Sequence, residues 1–274
     1  MDTRPASDYP APDLVQLLNL SFENYLVPIR FNLSQFLTML RKDGIDLNSS
    51  RVLLMDDVLS GVALIARRGL TSRLAAMGVT KEARGKKAGS WFMERLISES
   101  RARNDREMVL EVIEQNEAAV RLYRKYEFQT IRRLIGFVRN EKSGDFSLQS
   151  SLEEIDLREM GRLVLQHGLP DLPWQLSGET IALLNPPARA YQHGPTYIAI
   201  SDPSVENIVI WSLLVKPEAR GNGLAVEMLN AVMAVHADKK WHVPAILPEE
   251  LGPAFEQAGF QREELSQWQM RLKL

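Results

Sequence analysis

A chain of 274 residues, 45% hydrophobic and 25% charged, has ordinary globular composition and room for one large domain or two of common size. The absence of cysteine excludes disulfides, thiolate metal sites and a cysteine nucleophile, and four scattered histidines without paired ligand spacing argue against a metal centre. A net charge of −2 speaks against a nucleic-acid partner, and apolar runs too short for a bilayer, with no signal-peptide core in "MDTRPASDYPAP", predict a cytoplasmic protein without a membrane partner.

Along the chain, helical periodicity covers roughly 12–25 and 33–42, and "RVLLMD" with "VLSGVALIARR" predicts a hairpin turning at Asp56 and Asp57. A strand over 71–79, a helix over 88–103, a strand over 108–114, a helix over 117–126 and a terminal pair of strands follow. The polar, turn-forming stretch "NEKSGDFSLQSS" (140–151) reads as a join. Beyond it come a helix over 153–167 and short strands near 189–193 and 196–201. A strand over 206–215, a helix over 223–237, a strand over 242–247, a helix over 250–258 and a final strand over 261–273 complete the chain.

One phrase occurs twice. "RGKKAG" begins at Arg84 and "RGNGLA" at Arg220, 136 positions later, each between an apolar segment and an amphipathic one. "AAVRLYRKYEF" (118–128) matches "ELGPAFEQAGF" (250–260) at a similar offset, so the chain reads as two copies of one α/β unit. A strand running through such a loop into a helix presents backbone N–H groups to an anion, and the helix dipole favours negative charge. The candidate cradles are Arg84, Gly85, Lys86, Lys87, Ala88, Gly89 and Ser90 in the first copy, and Arg220, Gly221, Asn222, Gly223, Leu224 and Ala225 in the second. Neither is a dinucleotide fingerprint, since Val226 replaces the third glycine, nor a P-loop, since Gly85-Lys86 has no glycine five residues upstream.

Within the first copy, Glu111 stands in an otherwise apolar strand, where a carboxylate is costly unless it faces a wet cleft. It reads either as a base or as an edge carboxylate, and Tyr123 either as a proton donor or as a packing aromatic. Glu114 and Glu82 are weaker candidates for a base. No nucleophile suited to a covalent intermediate is apparent. Phe22, Tyr25, Pro28 and Phe31 in "SFENYLVPIRF" concentrate where the first helix ends, lining an acceptor pocket or simply packing.

"V-x-P-x-x-R-G-x-G-L-A" (215–225) and "N-x-x-A-V-x-L-Y-x-x-x-x-F" (116–128) resemble the GNAT superfamily of acetyl-coenzyme A-dependent N-acyltransferases. The resemblance implies two tandem domains, 1–143 and 144–274, each a mixed, mostly antiparallel sheet with helices on both faces and strands that splay around the pantetheine. It implies that the loops hold the coenzyme A pyrophosphate, that Asn116 lies near the pantetheine, and that Tyr123 lies near the sulfur. A backbone N–H near Val79, and near its equivalent Val215, would polarise the thioester carbonyl. The "LEV" glutamate and "LY" tyrosine, twelve residues apart, are similar to those of ribosomal-protein alanine acetyltransferases. That likeness implies Glu111 as base and Tyr123 as acid, with no metal.

The copies differ where chemistry would occur. Val243, Pro248 and Phe255 stand for Glu111, Asn116 and Tyr123, so the second copy keeps the glycine loop without proton-transfer groups. The first keeps those groups but has Lys87 and Glu127 where glycines are usual; Lys87 would donate the same N–H at negative φ. The expected reaction is acetyl transfer to a small-molecule or protein amine, by a monomer or homodimer. The alternatives are a non-catalytic acyl-coenzyme A sensor and a two-domain enzyme similar to mycothiol synthase.

Overall fold

The computed structural model describes residues 1–28, 30–140 and 152–274. Contacts divide the chain into two compact units, Met1–Ile131 with Trp268–Leu274, and Arg132–Gln267. The join and the domain boundary expected at 143/144 fall in the stretch 141–151, outside the described residues.

The first unit opens with β1 (Asp2–Pro5), α1 (Ala11–Ser21) and α2 (Leu33–Asp43). Helix α1 buries Leu14, Val15, Leu17 and Leu18 and stops at Ser21, so Phe22–Tyr25 lie in the turn beyond it rather than in the helix expected to 25. A capping box opens α2: the Asn32 side chain accepts from the Gln35 N–H, and the Gln35 side chain accepts from the Asn32 N–H. Strands β2 (Arg51–Met55) and β3 (Val58–Arg68) form the expected hairpin, with Asp56 and Asp57 at φ 51° and 62°, as a tight primed turn requires.

Strand β4 (Thr71–Val79) pairs antiparallel with β3 and bulges at Ala75, the extra residue between the Leu64–Ala76 and Ile65–Leu74 pairs. Helix α3 (Ala88–Ala102), β5 (Glu107–Ile113) and α4 (Glu117–Lys125) follow. Strands β4 and β5 are parallel and pair over Thr71–Arg73 with Glu107–Val109; past that point the ladder ends and the sheet opens. The unit's core gathers Leu53, Ile65, Leu74, Phe92, Met93, Leu96, Met108 and Leu110.

Strand β6 (Gln129–Arg139) is one long strand where a pair was expected. It begins in the first unit and continues in the second, where it pairs antiparallel with β11 (Lys240–Pro248). The second unit repeats the plan with β7 (Glu153–Ile155), α5 (Leu157–His167), a short α6 (Gly178–Ile181), β8 (Arg189–His193), β9 (Thr196–Ile200), β10 (Asn207–Val215), α7 (Leu224–Val235) and α8 (Gly252–Gln257). The helix expected from 153 starts at Leu157, because Asp156 caps it by accepting from the Arg158 N–H and 153–155 pair with β8. Strand β10 bulges at Trp211 and pairs with β11 only over Asn207–Val209 before it too opens.

Strand β12 (Gln261–Lys273) runs the opposite way to β6, from the second unit into the first. Met270 and Leu272 are buried in the first unit's core, Leu274 N donates to Arg106 O at 3.0 Å, and Arg271 Nε stands 3.1 Å from Glu107 Oε2. Local alternation predicts this strand over the right residues but says nothing about which core receives it. Met270 is fully buried, so Met270→Ala should cost about 2 kcal/mol or more in urea denaturation. A loss well under 1 kcal/mol would mean that the chain's last strand does not carry the first core.

Candidate functional site

The two glycine loops share one backbone path. Gly85 and Lys87 sit at φ 76° and 61°; Gly221 and Gly223 sit at 81° and 77°. Lys87 caps α3 in the left-handed region, as Gly223 caps α7, so the negative φ set as the condition for Lys87 to replace a glycine is not what the loop uses. Trp91 N returns to Lys87 O at 3.1 Å, and none of the N–H groups of Gly85–Ser90 has a backbone partner among the described residues. This is the row of donors that a helix start leaves free.

The arginines do something the sequence did not suggest. Arg84 Nε donates to Val79 O at 3.4 Å, while Nη2 donates to Ser21 O at 3.2 Å and Glu23 O at 2.9 Å. Arg220 Nε donates to Val215 O at 3.1 Å, and its Nη2 to His167 O. In each unit the guanidinium is engaged by backbone carbonyls at the strand end and at the end of the first helix, so what the loop leaves open to an anion is N–H groups rather than the arginine.

Strand register places the next donor. Thr80 N bonds Ser60 O at 2.9 Å, so alternation along an antiparallel ladder turns the N–H and C=O of Val79 away from β3, toward the gap beside β5. Arg84 takes that carbonyl, and the N–H stays in the gap. Lys216 N bonds Pro195 O at 3.0 Å, which gives Val215 the same posture in the second unit.

At the end of β5, Asn116 caps α4 by accepting from Ala119 N at 3.2 Å, and its Nδ2 donates to the Tyr25 hydroxyl at 3.3 Å. Phe22 stands edge-on to Tyr25 at 5.2 Å, and a Cβ on Gly78 of β4 would lie only 2.9 Å from the Ser21 Cβ. The turn after α1 therefore bridges the opened strands, touching β4 at Gly78 and Asn116 through Tyr25. Phe31 is held by its backbone to the Asn19 side chain. Tyr123 is buried, packs edge-on to Phe128 at 5.7 Å, and burial, reinforced by Tyr25 nearby, pushes its phenol up. It stays protonated at physiological pH.

Glu111 does not face an open wet cleft. Its side chain is 3% exposed, and Oε2 accepts from Arg73 Nε at 2.8 Å; Arg73 Nη1 lies 3.6 Å from Asp43 Oδ2. The burial cost that sequence reasoning assigned to solvent is met by a buried arginine. The missed signal was Arg73 itself, a cation inside the apolar run "TSRLAAMGV". Glu82 and Lys86 are exposed, and Glu114 is half-buried.

In the second unit the opened strands enclose a cavity of about 410 Å3, reaching from Gly221 and Gly223 to Leu172 and Leu176. Phe255, the equivalent of Tyr123, lines it, and so does Pro244. The register that pairs Val109 with Arg73 and His242 with Val209 puts Pro244 at the place of Glu111, which corrects the expectation of Val243; Val243 answers to Leu110 in the core. Phe255 packs edge-on to Phe260 at 5.5 Å, as Tyr123 does to Phe128. Among the described residues no cluster of histidine and carboxylates could hold a metal ion, and no helix is long and apolar enough to cross a membrane.

Residues 13–128 match the acetyltransferase (GNAT) family. Among solved structures, a GCN5-related N-acetyltransferase from Sphaerobacter thermophilus superposes with a TM-score of 0.71 at 13% identity, covering 99% of this chain and 95% of that one. A tandem GNAT protein from the clavulanic acid biosynthesis pathway gives 0.65 at 14% identity, covering 96% and 94%. A GCN5-related N-acetyltransferase from Anabaena variabilis gives 0.64 at 17%, covering 98% and 72%. No curated protein matches the chain in sequence. The likenesses show the fold of both halves: two GNAT-type units in tandem.

The left-handed backbone at Lys87 yields a stability test. A side chain there costs roughly 1–2 kcal/mol, partly offset on glycine substitution by a looser unfolded chain. Lys87→Gly should leave the melting temperature unchanged or raised, and Lys87→Val should lower it. Equal loss in both variants would show that the residue is held by its side chain.

Proposed function

With residues 13–128 forming a GNAT acetyltransferase domain, we propose that the first unit transfers an acetyl group from acetyl-coenzyme A to a primary amine. The observation that carries the reading is the Val79 N–H, turned into the gap where β4 and β5 part, beside a loop of unpaired N–H groups. The loop from Gly85 to Ser90 takes the pyrophosphate, with Lys86 and Lys87 adding positive charge. Val79 N–H donates to the thioester oxygen, where negative charge grows as the amine attacks. The C–N bond forms and the C–S bond breaks. The thiolate leaves with the proton of Tyr123, whose buried hydroxyl remains protonated until needed.

The amine proton passes to Glu111, directly or through water, while Arg73 fixes the carboxylate's orientation. The turn carrying Phe22 and Tyr25 covers the opposite side of the gap, which makes it the acceptor-facing wall. The acceptor is a small-molecule or peptide amine. A second reading, an acyl-coenzyme A receptor in which neither unit turns over, draws support from the engagement of Glu111 by Arg73.

Tyr123→Phe separates the two. It keeps the ring and its contact with Phe128 but removes the proton donor. Free-thiol release from acetyl-coenzyme A, measured over a panel of amines, should fall by about 10²-fold or more. The KM for acetyl-coenzyme A should change little, because the loop is untouched. Release at the parent rate would make Tyr123 a packing residue, and no release by the parent protein with any amine would favour the receptor.

A further inference from the structure

The second unit's cavity passes through its sheet. Val243, Leu247 and Phe255 belong to the apolar cluster beneath α7 and α8, whereas Val164, Leu172 and Trp211 belong to the cluster of the α5 side. One cavity touches both because β10 and β11 part between them. Its near end is the glycine loop. Its far end lies at the segment after α5, where Leu169, Leu172 and Leu176 take the place that the turn with Tyr25 takes in the first unit.

Of the side chains lining this cavity, Arg220 alone is titratable, and its guanidinium is engaged by the carbonyls of Val215 and His167. The Ser212 hydroxyl is a very weak acid, and the lining holds no carboxylate, imidazole or phenol to take a proton from an amine or to pass one to a thiolate. A thioester held in this cavity would keep its acyl group. The far end is equally unsuited to an ammonium: it offers leucine side chains and Trp211, which gain by covering a hydrocarbon and lose by desolvating a charge.

We propose that the second unit is a non-reacting receptor for coenzyme A thioesters with acyl chains longer than acetyl, the chain lying through the sheet against Leu169, Leu172 and Trp211. The proposal rests on the reading of the glycine loop as a coenzyme A site. It adds that the two units prefer different acyl groups: acetyl where chemistry occurs, a longer chain where it does not. The 410 Å3 of the cavity falls within the range of small-molecule pockets, and each methylene buried there adds affinity.

The test is calorimetric titration of the full chain with octanoyl-coenzyme A and with acetyl-coenzyme A. A site that prefers octanoyl-coenzyme A by about tenfold or more is expected. Gly223→Glu, which sets a negative side chain at the closest backbone approach, should abolish it. Leu172→Trp fills the far end and should erase the preference while acetyl-coenzyme A still binds. Leu169→Glu, at a half-buried position that tolerates a charge, should do the same, so a folding defect in one variant does not decide the outcome. Equal affinity for the two thioesters, or a preference that survives both Gly223→Glu and Leu172→Trp, would overturn the proposal. Acetyl-coenzyme A binding that persists in Gly223→Glu belongs to the first unit. Its absence there would sink the transfer reading while leaving the receptor standing.

Discussion

Where β4 leaves β5, the backbone of half-buried Val79 has no strand neighbour on that side, and its carbonyl needs a donor from elsewhere. Arg84 resolves this. One guanidinium takes Val79 O together with Ser21 O and Glu23 O, so the strand end, the loop and the end of α1 become one body. Since the arginine can only donate, it satisfies the carbonyl and leaves the N–H in the gap. The functional reading of the first unit depends on that asymmetry: an amide aimed into an opened sheet, with a row of helix-start amides on one side and an aromatic turn on the other. Arg220 repeats it with Val215 and His167. The arginine of the repeated phrase is thus a frame residue, and the charge it shows in sequence is a poor guide to what it touches.

Much of the frame was legible because turn chemistry and periodicity are local. Asp56-Asp57 marked a hairpin, β4 and β12 were readable from end to end, and the paired loops announced two units. What escaped was set by contacts between distant segments. Arg73 and Glu111 lie 38 positions apart, and only the parallel register of β4 and β5 brings them together. A lone carboxylate in an apolar strand looks like a cleft residue until its partner is known. The placement of Met270 and Leu272 in the first core has no local signal either, since alternation gives a strand's faces and not its neighbours. The segment between α5 and β8, rich in proline and leucine, carries none of the motifs that pointed to a site. It turned out to supply the far wall of the second unit's cavity.

The two halves keep the same packing where their side chains differ in chemistry. Tyr123 and Phe255 occupy matching places, each edge-on to a phenylalanine five residues later, and each accepts the N–H of that residue at 3.1 and 3.0 Å. The packing role is common to both; the hydroxyl is not. At the place of Glu111 the second unit has Pro244, which keeps the strand and lacks the carboxylate. Removing a buried carboxylate also removes the need for its arginine, so the second unit is relieved of an expensive ion pair and gains a continuous apolar lining.

Lys87 and Glu127 complete the contrast. Both hold left-handed backbone, at 61° and 65°, where the second unit has Gly223 and Gly259 at 77° and 81°. The loop path is therefore kept in the first unit despite the side chain, at a cost of roughly 1–2 kcal/mol for each such residue. That cost falls on folding, not on binding. For any ligand that leaves the loop's φ unchanged, the strain is present before and after it arrives and cancels in the binding cycle. What remains on the bound side is the ammonium of Lys87, which a pyrophosphate attracts and a glycine does not supply. The departure from glycine thus costs the first unit stability and leaves its cradle no worse suited to an anion than the unstrained loop of the second.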